Sequence, residues 1–169
     1  MITSKTHHCI IDSSVNNLKG HNEISGSYGI LKGIKEGELF KAREWGSDFC
    51  ELMKPAENDI VCKGKSGLCG FASTNLDFLL RQNGIKNVVL AGFLTNCCVE
   101  SSMRSAYELG YNVYTVKDCC AATSIAAQDA AFEHNFGMFS VPTTSGVSMR
   151  SKTRKICAMN NLKPDTCFF

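Results

Sequence analysis

The stretch NVVLAGFLTNCCVESSMRSAYELG, residues 87–110, determines the fold class of this chain. Residues 87–93 form a nearly continuous apolar run, as in a strand of a parallel sheet that is buried on both faces. After a short turn, apolar residues recur at helical spacing from about Cys98 to Leu109, and Gly110 ends the predicted helix. A buried strand that runs directly into a helix is typical of a βαβ unit.

The flanking sequence alternates in the same way. Thr74 followed by Asp77 resembles a capping box, at the start of a helix that stops at Asn83-Gly84. Alternation at these spacings predicts an α/β fold, in which a mostly parallel sheet is covered by helices on both sides. The predicted elements are strands at 59–62, 87–93, 112–116 and 138–141, helices at 74–83, 98–109 and 124–136, and a turn at Asp118.

The two ends of the chain are less regular. Cys9-Ile10-Ile11 is apolar and predicts a short strand, and the glycine-rich region 20–46 predicts an ordered loop. Residues 150–169 are basic and then polar, which predicts a solvated terminal segment. We expect a single domain over residues 1–169.

Composition and charge exclude several classes of protein. A hydrophobic fraction of 44% with 20% charged residues is ordinary for a globular domain and argues against long disorder. The formal net charge is only +2 and no basic face carries interleaved aromatic residues, so nucleic acid is not an expected partner. No apolar run reaches the roughly 18 residues that cross a bilayer, and no signal peptide is evident. We therefore expect a cytoplasmic protein without a membrane partner.

The cysteine content needs a separate explanation. The ten cysteines could suggest disulfides, but Cys97-Cys98 and Cys119-Cys120 are adjacent pairs that cannot readily bridge to each other. We interpret most cysteines as reduced, small and buried. Cys98 is different, because a cysteine in the first turn of a helix lies beside unpaired N–H groups and the positive end of the helix dipole. Such a position favours a reactive thiolate.

The segment Gly92-Phe93-Leu94-Thr95-Asn96-Cys97-Cys98-Val99 resembles the nucleophile signature of the isochorismatase-like cysteine hydrolases. This superfamily includes nicotinamidases and the ureidoacrylate and N-carbamoylsarcosine amidohydrolases, and the likeness extends over residues 59–141. The resemblance implies a three-layer αβα, Rossmann-like fold. It also implies that the nucleophile stands immediately before the valine, which selects Cys98 and leaves Cys97 as a packing residue.

Two further parts of the site follow from the resemblance. The family carries a lysine six residues before a phenylalanine; counting back from Phe71 reaches Lys65, which we prefer to Lys63 as the cation beside the thiol. The family also has a cis peptide bond shortly before the nucleophile, which falls here at Phe93-Leu94. The resemblance then implies an oxyanion hole formed by the backbone amides of Leu94 and Cys98.

The general-base aspartate of the family has no clear match. Its usual strand motif is approached only by Ile10-Ile11-Asp12, which lacks the glutamine and phenylalanine that normally follow. Either Asp12 substitutes after a shortened first βα unit, or that unit is missing and Thr6-His7-His8 corresponds to the end of the family's second strand. We expect the second.

The resemblance implies no cofactor. Nicotinamidase-type members bind a divalent ion through Asp-x-His and a further histidine, and no Asp-x-His precedes His7, His8 and His21, so we favour a solvent-facing or substrate-facing role for them over zinc binding.

The implied activity is hydrolysis of a small-molecule amide or related C–N bond through a thioester, by a protein that forms a homo-oligomer. The alternative, favoured by the missing aspartate, is a catalytically impaired member, truncated or a pseudoenzyme, that acts by oligomerisation or partner binding.

Overall fold

The computed structural model describes residues 7–11, 28–37, 39, 45, 48–49, 51, 54–57, 59–65, 67–145 and 166–168. The strands are β1 (His7–Ile11), β2 (Ile60–Cys62), β3 (Asn87–Phe93), β4 (Asn112–Ala121), β5 (Val141–Thr143) and β6 (Thr166–Phe168). The helices are α1 (Gly29–Glu36), α2 (Leu76–Gln82), α3 (Glu100–Glu108), α4 (Ile125–Ala131) and α5 (Gly137–Phe139), with π-helical turns at Thr95–Val99 and Phe132–Phe136. None of these described helices has the length and apolar character needed to span a bilayer.

Strand β3 is buried on both faces of the sheet. Successive strand residues point to opposite faces, and Val88, Val89 and Leu90 are each no more than 4% exposed. Helices therefore pack on both sides, which confirms the predicted three-layer α/β fold with a parallel sheet. The largest fully buried apolar side chains include Phe136, Leu76, Met103 and Val88.

The order of the strands is doubly wound, with β6 in the central place. In the common doubly wound sheet the first strand lies in the middle, the next two follow on one side and the rest on the other. Here the order is β2-β1-β6-β3-β4-β5, and β6 pairs in parallel with both β1 and β3. The second place therefore belongs to β1, but His7 and His8 begin this strand and do not end it as we expected, and Thr6 lies outside the described residues. The expected solvated tail is wrong for Thr166–Phe168, because these residues form a strand inside the sheet.

The end of β4 and the start of β5 also differ from the prediction. Asp118, predicted as a turn residue, lies inside β4, where its carboxylate accepts a hydrogen bond from the backbone N–H of Ser145 at 2.7 Å. The backbone N–H of Ser140 donates to the carbonyl of Phe136 at 3.0 Å, so helical structure continues past the predicted strand start. The last predicted strand consequently begins only at Val141.

Helix α2 begins with a different hydrogen bond from the predicted capping box. The backbone N–H of Leu76 donates to the hydroxyl of Thr74 at 3.1 Å, whereas Asp77 does not close the box. Asp77 instead pairs with Arg81 at 2.9 Å and accepts a hydrogen bond from the hydroxyl of Tyr111 at 2.8 Å. Burial raises the pKa of the Asp77 carboxyl, but the hydrogen bonds from Arg81 and Tyr111 outweigh it and hold the pKa below its ordinary value.

Helix α1 lies in the glycine-rich region that was predicted as a loop. Gly29 starts it with φ +66°, a conformation that glycine adopts without strain. Lys32 and Glu36 pair across one turn at 3.7 Å. The loop prediction is therefore wrong for the eight residues of this helix.

We predict that Phe136→Ala destabilises the protein by about 3–5 kcal/mol, because the lost ring leaves a cavity in the core. The matched control is Phe78→Ala, at a side chain that is 61% exposed, where the expected loss is within about 0.5 kcal/mol. Urea unfolding followed by circular dichroism measures both. Equal losses would show that the core does not centre on Phe136.

We also predict that Cys167→Pro destabilises the protein, because proline removes a backbone N–H from a strand with neighbours on both sides. The expected cost is about 1–3 kcal/mol for the unmade hydrogen bond. Cys167→Ala changes the same side chain but keeps the N–H, and serves as the control in the same unfolding experiment. If the two variants unfold at the same urea concentration, residues 166–168 do not occupy the centre of the sheet.

Candidate active site

Strand β3 ends in a tight turn that presents two cysteines. Gly92 has φ +127°, which favours glycine, and the Phe93-Leu94 peptide bond is cis, at the position that the resemblance implies. The Leu94 carbonyl then accepts hydrogen bonds from the backbone N–H groups of Cys97 at 3.2 Å and Val99 at 3.1 Å. These two bonds bring the chain directly from strand to helix at the carboxyl end of the sheet, where open α/β sheets carry their sites.

The thiols of Cys97 and Cys98 are half-buried neighbours. Burial raises the pKa of the Cys97 thiol, and the Cys98 thiol raises it further. The Lys65 ammonium and the backbone N–H of Cys98 act in the opposite direction. The Cys97 thiol is thus influenced by the same neighbours that we expected around Cys98, whereas the sequence predicted only a packing role for it.

Of the two candidate lysines, Lys65 is the one whose charge acts on the Cys97 thiol. Its side chain is half-buried, whereas Lys63 is exposed. Gly64, between them, has φ +86° and turns the chain. The structure thus places Lys65 near enough to the Cys97 thiol to lower its pKa, and Leu94 directly before the turn that carries both cysteines.

The segment that carries the lysine is bonded to α3. The backbone N–H of Gly70 donates to the hydroxyl of the buried Ser102 at 2.9 Å, and the Cys69 thiol donates to the hydroxyl of Ser105 at 3.1 Å. Both serines lie on the helix that continues from the cysteine turn, so these bonds fix the lysine segment relative to the thiols. Sequence reasoning missed them, although their spacing of three residues on one helix face was a signal.

Four further cysteines, Cys62, Cys69, Cys119 and Cys120, form no disulfide bond. Cys62 and Cys69 are buried, as expected for reduced cysteines that pack in a core. Burial raises the pKa of the Cys120 thiol to about 11, so it stays protonated at neutral pH. Cys119 is exposed, which the sequence did not predict.

The general base and the histidines stay predictions. Asp12 and His21 lie outside the described residues, as do the side chains of His7 and His8. Within the described ranges no carboxylate is hydrogen-bonded to either thiol of the pair. In that same part of the chain no three histidine, cysteine or carboxylate side chains are grouped so that they could hold a metal ion.

Sequence and fold are both similar to those of known hydrolases. The sequence profile of the isochorismatase domain matches residues 13–146. The chain is 33% identical to ureidoacrylate amidohydrolase RutB of Acinetobacter baylyi over 104 residues, which are 62% of this chain and 42% of that protein. The chain spans less than half the length of the curated relatives it matches.

Two solved structures share the fold. An isochorismatase-like hydrolase from Alkaliphilus metalliredigens superposes with a TM-score of 0.64 at 24% identity, over 84% of this chain and 96% of that one. N-carbamoylsarcosine amidase from Thermoplasma acidophilum superposes with a TM-score of 0.57 at 21% identity, over 83% of this chain and 97% of that one. The agreement extends over most of both chains and supports the three-layer architecture.

We predict that Lys65→Met raises the pKa of Cys97, because it removes the positive charge that lowers it. Alkylation of Cys97 by iodoacetamide should therefore slow at a given pH, as measured by peptide mass spectrometry over a pH series. Lys63→Met removes the same charge from an exposed side chain and should leave the profile unchanged. A profile that responds equally to both substitutions would contradict the assignment of Lys65 to the site.

Proposed function

We propose, since the chain belongs to the isochorismatase family, that it is a cysteine-dependent amidohydrolase that cleaves a small-molecule amide or related C–N bond. The observation that carries this proposal is the pair of half-buried thiols at the end of β3, with the Lys65 ammonium acting on the Cys97 thiol. The printed activities of two similar proteins, ureidoacrylate amidohydrolase and N-carbamoylsarcosine amidase, support the bond type.

The nucleophile in this proposal is Cys98. Its neighbour Cys97 has a raised pKa, so Cys97 is a protonated thiol at neutral pH. A protonated Cys97 can donate a hydrogen bond to a Cys98 thiolate, and the Lys65 ammonium stabilises that charge as well. The position of Cys98 directly before Val99 is also the position of the nucleophile in the family signature.

The reaction proceeds through a thioester. The Cys98 thiolate attacks the substrate carbonyl carbon, and the backbone N–H groups of Leu94 and Cys98 hold the oxyanion that forms. The C–N bond then breaks, and the amine or ammonia leaves with a proton. Water attacks the thioester carbonyl, which releases the acid and restores the thiol. The proton transfers need a general base: Asp12 is the sequence candidate if it substitutes after a shortened first βα unit, and the role is unfilled if that unit is missing.

A second candidate function is a non-catalytic one. Among the described residues the cysteine pair has no carboxylate partner, and a thiol without a general base reacts slowly with an amide. A chain impaired in this way would act through oligomerisation or partner binding. The absence of turnover by the unmodified protein on every amide, ureido and carbamoyl compound tested would favour this candidate.

We predict that Cys98→Ala abolishes turnover of a panel of small amides, ureido acids and carbamoyl compounds, with a loss of about a thousandfold or more in kcat. Turnover is measured as ammonia release, and thermal unfolding verifies that the variant folds.

The control for this test is Cys119→Ala, which removes an exposed thiol outside the pair and should leave kcat unchanged. Cys97→Ala should retain measurable turnover, because that thiol assists without forming the thioester. Full turnover by Cys98→Ala would refute the proposed mechanism.

A further inference from the structure

Strands β3 and β4 are paired with an interruption just before the cysteine turn. Leu90 pairs with Thr115 and Gly92 pairs with Cys120, so the single residue Ala91 on β3 faces residues 116–119 on β4. Such a bulge leaves backbone groups without a partner in the ladder. Carbonyl oxygens in this position can accept hydrogen bonds from side chains instead, and a half-buried one needs such a donor because an unmade hydrogen bond costs free energy.

Gln128 supplies these donors from α4. Its amide nitrogen Nε2 donates to the carbonyl of Lys117 at 3.2 Å and to the carbonyl of Cys120 at 3.1 Å. The helix that carries it is fixed at its start, since the hydroxyl of Ser124 accepts a hydrogen bond from the backbone N–H of Ala127 at 3.2 Å. Gln128 therefore spans the bulge from a fixed position.

The other end of the same amide reaches the cysteine turn. Because Nε2 faces two carbonyl oxygens, Oε1 must point the other way, and there it accepts a short hydrogen bond from the hydroxyl of Thr95. Thr95 is fully buried and is the first residue of the turn that carries Cys97 and Cys98. A side chain with only donors or only acceptors could not make this set of bonds.

We propose that Gln128 is a positioning residue that holds the Thr95–Val99 turn, and with it the Cys98 thiol, at a fixed distance from the end of β4. It touches no reacting atom and acts through Thr95. The catalytic consequence of this role rests on the proposed function, whereas its effect on thiol reactivity does not. A small displacement of a nucleophile from its productive position can reduce a rate about a hundredfold.

The test compares two replacements of Gln128 that keep its length. Gln128→Met removes all three hydrogen bonds, and Gln128→Glu places a carboxylate against two carbonyl oxygens. Both should slow iodoacetamide alkylation of Cys98 and reduce kcat by about 10-fold to 100-fold with little change in KM. Relative to the unmodified protein at the same pH, the alkylation rate of the Glu variant should recover as the pH falls toward about 5, because a protonated carboxyl regains a donor. The relative rate of the Met variant should stay low. Gln82→Glu, at the exposed end of α2, is the control and should match the unmodified protein.

A double-mutant cycle with Thr95→Val separates positioning from simple packing. If Gln128 acts through Thr95, the double variant Thr95→Val, Gln128→Met should be no slower in Cys98 alkylation than the slower single variant. Additive losses, or a lower unfolding temperature with unchanged alkylation and kcat, would overturn the proposal. Alkylation needs no substrate, so it tests Gln128 even if Cys98→Ala retains full turnover and the proposed hydrolase mechanism fails.

Discussion

Burial of β3 on both faces constrains where the chemistry of this molecule can lie. Where helices cover both faces of a strand and a strand lies on each side, its side chains are inaccessible, as those of Val88, Val89 and Leu90 are here. At the carboxyl end of β3 the chain leaves the sheet. There the Leu94 carbonyl accepts two hydrogen bonds that reverse the direction of the backbone, and the two thiols follow at once.

The cysteine turn is supported from two separate directions. On one side Ser102 and Ser105 of α3 hold the segment that brings in Lys65. On the other side Gln128 links Thr95 to the bulge of β4. Hydrogen bonds from neighbours that are themselves fixed by packing are what keeps a reactive group in place before a substrate arrives. The turn is thus held by side chains that lie outside the cysteine pair.

The sequence allowed the local elements to be predicted better than the partnerships between them. The apolar run of β3 and the motif around Cys98 are contiguous, so one window contains the whole signal. The partners of Thr95 and Gly70 lie 33 and 32 residues away, so no single window contains both members of either pair. Asp118 resembled a turn residue because a bulge breaks the strand pattern in the same way as a turn does. The placement of β6 was missed because its three residues follow a long polar stretch.

The central position of β6 has a consequence for how the chain folds during synthesis. The ribosome delivers β1 and β2 first and β3, β4 and β5 next, and in the sheet only β6 joins these two halves. The facing edges of β1 and β3 then have unpaired N–H and C=O groups until residues 166–168 emerge. A nascent chain at this stage presents two open strand edges to other nascent chains, which is the condition under which chaperones are needed.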